Sequence, residues 1–210
     1  MFKTDRGYDC FELLSALQKD IRRGKEYQAL FWAAELESLD DERGITMLWH
    51  RLNVIASEDI GPANPVMPVI IETLERKYYD ARERGDGAYR LFLSNAILIL
   101  CRSKKSRVTD DLLNVVYGEI QHENKMLDIP DYALDMHTLR GKKMGRGYDH
   151  FYTEGNKLSN EDIDNPYTEK AKEIHKKYGD LKPEPKKENK KDECQQCLQI
   201  IQTEALVEAQ

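Results

Sequence analysis

The chain has 210 residues, 40% of them hydrophobic and 33% charged, with a mean hydropathy of −0.71. That suits one domain of ordinary size plus some length that packs into no core, and the longest apolar run, residues 96–101, is far short of the roughly 20 that span a bilayer. The formal charge of −6 divides unevenly, since residues 170–191 hold nine lysines against four acidic residues, +5, leaving −11 on the remainder.

The first two-thirds read as helices. Cys10, Leu13, Leu14, Leu17 and Ile21 fall on one face of a 3.6-residue period, with Asp9 placed to cap, Glu12 in the capping-box position and Gly24 as the stop. Tyr27, Leu30, Phe31 and Ala34 repeat the spacing, widened by Trp32, Leu36 and Leu39. Ile45, Leu48, Trp49, Leu52 and Ala56 make a third set. Gly61-Pro62-Ala63-Asn64-Pro65 breaks the pattern, with Asn64 and Pro65 reading as N-cap and first position of a fourth helix through Ile70, Leu74, Tyr78 and Ala81. The run from 91 to 100 is apolar nearly all round, so it is expected at the centre of the core, as a helix because no partner strand flanks it. Thr109 can cap a sixth helix carrying Leu112, Val115, Val116 and Ile120.

From about Asp128 the periodicity fades. Gly141, Gly145, Gly147 and Gly155 punctuate an irregular stretch, and Pro183 and Pro185 sit among lysines in a composition typical of a flexible tail. Residues 197–207 regain enough apolar character for one short helix. The expected organisation is a helical domain over 1–158 and a flexible basic tail over 159–210.

Two basic clusters lie in connections, where binding residues often sit: Arg102, Lys104, Lys105 and Arg107, then Arg140, Lys142, Lys143 and Arg146. Arginine and lysine beside glycine and an aromatic such as Tyr148 suit single-stranded nucleic acid, although the acidic remainder opposes it. Ser57, Glu58 and Asp59 place two carboxylates in sequence, but neighbours on a helix diverge by about 100° and do not converge on one ion, so a structural role before Gly61 is expected. Asp131, Asp135, His137 and His150 could be read as a metal-dependent nuclease site, yet no ligand spacing supports it, and Tyr148-Asp149-His150-Phe151-Tyr152 reads as packing. Cys194-Gln195-Gln196-Cys197 is a Cys-x-x-Cys without a preceding strand or two further ligands, while Cys10 and Cys101 fall at buried helix positions. No metal or other cofactor is implied.

Three segments, taken in order, resemble the C-terminal region of the replication-associated recombination (MgsA/RarA-like) AAA+ ATPases. They are residues 8–22 joined to 27–36, residues 51–65 with the core Ala56-Ser57-Glu58-Asp59-Ile60-Gly61 and Pro65 four residues after the glycine, and residues 96–107 with Pro130 and Met144-Gly145-Arg146-Gly147-Tyr148 downstream. The resemblance departs at Tyr148, which follows Gly147 at once. It implies an all-α, clamp-loader-collar-like domain in which Ser57, Glu58, Asp59, Gly61 and Pro65 are structural. It further implies a homo-oligomer, a tetramer, that holds ATPase subunits together at stalled forks or single-stranded DNA ends. No Gly-x-x-x-x-Gly-Lys-[Ser/Thr] loop occurs in these residues, so no ATP hydrolysis carries over.

The reading that follows is a non-catalytic assembly domain, self-associating and docking a separate AAA+ ATPase, with DNA as a further partner and no membrane. A stand-alone single-stranded nucleic-acid binder and a nuclease are the alternatives. Met1-Phe2-Lys3-Thr4-Asp5-Arg6 carries no apolar signal stretch, and four cysteines make no disulfide framework, so a cytoplasmic (nucleoid-associated) or nuclear setting is expected. The aromatics Tyr27, Trp32, Tyr78, Tyr79 and Tyr89 exceed what one stripe per helix needs and are the expected interface.

Overall fold

Asp9 opens the first helix, α1 (Cys10–Arg22), by accepting hydrogen bonds from the amides of Phe11 at 2.9 Å and Glu12 at 3.2 Å. Gly24, at φ +68°, turns the chain out of it into α2 (Glu26–Glu37), which packs along α1. The remaining helices of the first part are α3 (Glu42–Ile55), α4 (Met67–Glu83), α5 (Tyr89–Arg102) and α6 (Val108–Glu123). This computed structural model describes residues 3–39, 42–159 and 165–178, and among them the only strand-like pairing is one isolated bridge, Lys3 with Asp9. The chain divides into two compact units, the first ending at Met126 and the second beginning at Leu127.

The core of the first unit is built where the periodicity puts it for α1 and α3, and for α4 except that Ile71 is buried where Ile70 is expected. Leu13, Leu17, Ile21, Leu48, Trp49, Leu52, Ile71 and Tyr78 are all buried. In α2 the buried face is Ala29, Ala33 and Leu36, while Tyr27 stays 79% exposed and Ala34 is exposed. The aromatic spacing misleads there because small side chains are what let neighbouring helices close in, leaving large rings at the flanks. In α5 the buried set is Leu93, Ala96, Ile97, Leu100 and Cys101, but Leu91 remains 69% exposed, so this helix is not surrounded on every side. Burial pushes the Cys101 thiol up to about 11.

Two expected helix starts differ. Between α3 and α4 lie a π-helical turn (Ala56–Ile60) and one 3₁₀ turn (Gly61–Ala63), so α4 begins at Met67 with a proline in its first turn, and Pro65 lies outside it. Asn64 serves through its backbone carbonyl, which accepts from Met67, rather than as a side-chain cap. The sixth helix begins one residue before Thr109 and has no side-chain cap.

The aromatic set expected at an interface is mostly internal. Tyr78 packs edge-on against Trp49, Tyr79 and Tyr89 with ring centroids 5.3–5.5 Å apart. Its hydroxyl donates to Glu37 at 2.7 Å, and burial followed by that carboxylate drives the phenol far above its ordinary range.

The second unit is made of short pieces: a 3₁₀ turn (Asp131–Ala133), α7 (Leu139–Lys143), α8 (Tyr148–His150), a second π-helical turn (Phe151–Gly155) and α9 (Thr168–Tyr178). Gly141 permits this compactness, since a Cβ there would lie 1.8 Å from the Asp135 carbonyl. α9 is helical within the stretch whose composition reads as a flexible tail. Glu169–Lys172 and Lys170–Glu173 pairs line it, and His175 stacks on Tyr148 at 4.2 Å. The rest of the predicted tail, with Cys194, Cys197 and the short terminal helix, lies outside the described residues.

Trp49 is the largest fully buried side chain and touches the Tyr78 cluster. Trp49→Ala should therefore cost about 3–5 kcal/mol in urea denaturation, whereas a loss under about 1 kcal/mol would place the core elsewhere.

Candidate functional site

At residue 56 the α3 helix widens into its π turn, and this is where the two adjacent carboxylates sit. They converge after all, on guanidinium groups rather than on an ion. Arg22 of α1 donates to Glu58 Oε1 and to Asp59 Oδ1, both at 2.7 Å. Arg107, beside the start of α6, donates to the same two oxygens at 2.9 and 3.1 Å. The other oxygen of each carboxylate accepts from the Gln18 amide, at 2.9 and 3.0 Å, and Arg51 in turn donates to the Gln18 carbonyl at 3.0 Å. All four carboxylate oxygens are thus used. Asp59 is 1% exposed, so the network holds a charge that would be costly without its partners.

Burial alone would raise the Glu58 carboxyl, but the bonds from Arg107 and Gln18 and the charges of Arg22 and Arg107 together outweigh it and hold it below the ordinary range. Donating to Glu58 raises Arg107 correspondingly.

The backbone completes the junction. The Asp59 carbonyl accepts from the Ser106 amide at 2.8 Å. Gly61 follows at φ +46°, ψ −130°, and a Cβ there would lie 2.6 Å from Thr109 Oγ1 in the first turn of α6. Only glycine meets both the conformation and the close approach. Glu58, Asp59 and Gly61 therefore belong to one junction that joins α1, α3 and the root of α6, while Ser57 in the same turn is exposed. Pro65 lies just beyond it, ahead of α4.

The first basic cluster is largely consumed here. Arg107 is in the network and also pairs with Asp110. Lys105 donates to the carbonyls of Leu100, Cys101 and Ser103 at 2.7–3.0 Å, closing the end of α5. Arg102 makes a two-pronged pair with Glu26 at 2.6 and 3.1 Å. Lys104 alone of the four is exposed with no partner among the described residues.

Beyond its root, α6 buries none of its residues. Leu112, Leu113, Val115, Tyr117 and Ile120 are 53–62% exposed and Val116 is 41% exposed. At about 100° per residue these side chains sweep roughly 200° of the helix surface, twice the stripe a helix needs to lie on one neighbour. Periodicity predicts an apolar face for this helix but not that the face stands open.

In the second unit Arg146 is structural as well. It holds Asp131 by both carboxylate oxygens at 2.6 and 2.7 Å and donates to the Asp131 and Leu134 carbonyls. Arg140, Lys142 and Lys143 are exposed on α7 with no acidic partner among the described residues. Asp135 accepts from the backbone and ring of His137, which lowers its carboxyl, and His150 lies close enough to add to that. Among the described residues no three His, Cys, Asp or Glu side chains gather as a metal site, so the nuclease reading gains no geometry. Tyr148, Phe151 and Tyr152 make ring contacts with His175, His137 and each other. No described helix is long and apolar enough to cross a membrane.

A helical unit whose third helix ends in a π turn, locked to the root of a projecting helix, defines this as an all-α domain built around an Ala-Ser-Glu-Asp-Ile-Gly junction. The family described as "MgsA AAA+ ATPase C terminal" matches residues 25–199, and the chain belongs to it. It is 33% identical over 153 residues to the replication-associated recombination protein A of Bacillus subtilis, covering 72% of this chain and 34% of that protein. It is 28% identical over 151 residues to the protein of the same name in Escherichia coli K12, covering 71% and 32%. The chain thus spans about a third of the length of the curated relatives it matches.

Gly61→Ala should destabilise the domain by about 1–3 kcal/mol, and Thr109→Ala in the same chain should restore part of the loss, because only the steric component depends on Thr109. Strict additivity of the two changes in a denaturation cycle would contradict the contact. A carboxyl held below its ordinary 4.5 contributes stability that is complete above that value and is lost as pH falls through the lower folded-state pKa. Glu58→Gln should accordingly lower stability at pH 7 and flatten the fall below pH 4.5. An acid limb unchanged by this substitution would remove Glu58 from the network.

Proposed function

We propose that this chain is a non-catalytic oligomerisation and docking domain of a replication- and recombination-associated AAA+ system, with α6 as its main contact surface. The observation that carries the reading is the open apolar sweep of α6. Apolar side chains this concentrated on one element are poorly tolerated on a free surface and mark contact with another chain. An arc of roughly 200° is more than one flat partner covers, which favours an assembly in which each α6 meets two neighbours, as in a closed tetramer. A mixed ring with a separate ATPase subunit would use the same surface. Membership of the AAA+ C-terminal family supports the same role, and the setting we infer is the bacterial cytoplasm near the nucleoid. The relatives are bacterial, so the nuclear alternative has no support among them.

A second reading, contact with single-stranded nucleic acid, is favoured by Arg140, Lys142 and Lys143, which stand exposed and unpaired by acids on α7. Lys104 would add to it. Arg102, Lys105, Arg107 and Arg146 have internal partners and would contribute little.

Sedimentation equilibrium tests the first reading. The wild-type chain should self-associate at tens of micromolar with a tetramer as the limiting mass. Leu113→Glu with Ile120→Glu should leave a monomer of unchanged helix content, because both side chains are more than half exposed in the single chain. A wild-type chain that stays monomeric, alone and with a family ATPase, would overturn it.

A further inference from the structure

The second unit contains a cleft that none of the roles above uses. It has a volume of about 570 Å³ and is lined by Phe151, Tyr152, Asn156, Lys157, Thr168 and Lys172 among others, and among the described residues no acidic side chain lines it. Phe151 and Tyr152 meet edge-on at 5.3 Å, and the Lys172 ammonium stands 5.9 Å from the Tyr152 ring centre. From Tyr152 the rings continue to His175 at 5.7 Å and from His175 to Tyr148 at 4.2 Å. A neighbouring cleft of about 450 Å³, which shares Tyr152 and Lys172 with the first, differs in charge, being lined by Asp149, Glu169 and Glu173 beside Lys172 and Lys176. The first cleft therefore suits an anion beside an aromatic surface better than the second, where three acidic side chains face two lysines.

We infer that the Phe151–Tyr152–Lys157–Lys172 cleft holds one nucleotide unit of single-stranded nucleic acid, its base against the aromatic pair and its phosphate between the two lysines. Single strands are gripped by this combination, rings for the bases and cations for the backbone. Among the described residues the ion-pair partners of both lysines are surface carboxylates, Glu154 at 2.8 Å and Glu169 at 2.7 Å. Exposed pairs of that kind are weak enough to yield to a phosphate. Asn156 and Thr168 supply polar groups at the wall without charge. The acidic neighbour cleft explains why one unit is held here rather than a strand crossing both. The inference rests on the nucleic-acid reading of this unit and assigns it a surface other than α7.

The test is fluorescence anisotropy of a labelled ten-residue oligothymidylate with the full chain, read over a range of salt. Lys157→Glu with Lys172→Glu should weaken binding at least about tenfold at low salt and reduce the log–log salt slope by roughly 0.7, the value for one phosphate contact on a single strand. Both lysines are surface groups, so circular dichroism should be unchanged. Tyr152→Phe, which keeps the ring, should bind like wild type, and Phe151→Ala should bind less tightly. Thymidine monophosphate should compete only at millimolar concentration. If it competes at micromolar concentration the cleft belongs to free nucleotides, and the assignment to a strand fails. If Arg140→Glu, Lys142→Glu and Lys143→Glu together abolish binding while the cleft variant binds normally, the nucleic-acid reading stands and the cleft does not. A wild-type chain that does not bind the oligonucleotide overturns both.

Discussion

Two consecutive carboxylates, one of them 1% exposed, must find donors inside a helical protein, and the arrangement of the first unit follows from how they do so. An isolated buried carboxylate is prohibitively costly, so Asp59 fixes the positions of whatever satisfies it. Arg22 and Gln18 come from α1, Arg107 from the root of α6, and the carboxylates themselves from the turn that ends α3. Three elements far apart in sequence are thereby referred to one point. The apolar core packs α1 to α5, but it does not by itself orient α6, which buries no residue. Polar geometry does that, and buried polar geometry of this kind has few alternative solutions.

Gly61 makes the junction possible from the backbone side. Its positive φ turns the chain out of the π turn, and its missing Cβ leaves room for Thr109. The same short stretch thus ends one helix, seats another and neutralises two charges. Lys105 closes the carbonyl end of α5 immediately before it. The cost falls on nucleic-acid contact: of the four cations that cluster there in sequence, three are committed to holding the fold. What the junction presents outward is an apolar helix, and this favours protein partners over DNA for the first unit.

Much of this was legible in the sequence, for physical reasons that differ by element. Helices with a clear 3.6-residue stripe and a side-chain cap, such as α1 with Asp9, could be placed to within a residue or so. The α2 face could not, because Ala29 and Ala33 carry little hydrophobic signal while Tyr27 and Phe31 carry much. That Glu58 and Asp59 sit in a turn just before Gly61 was readable in the sequence. Their convergence was not, since it depends on a π turn and on partners 36 to 49 residues away. The basic clusters misled for the same reason: Arg107 and Arg146 look available in sequence, and only the fold reveals Glu58 and Asp131 opposite them. Periodicity also marked the apolar side chains of α6, but it cannot say whether a stripe faces a core or solvent.

The central claim is that the carboxylate junction, and not the core, holds α6 in place. Amide hydrogen exchange on Asp59→Asn measures this most directly, because the substitution keeps the shape of the side chain and removes its charge. Exchange should become faster through α6 and the π turn, with protection retained at Leu17, Leu48, Leu52 and Ile97 in the core. Exchange in α6 that matches wild type, or an equal loss of protection across α1 to α5, would contradict it.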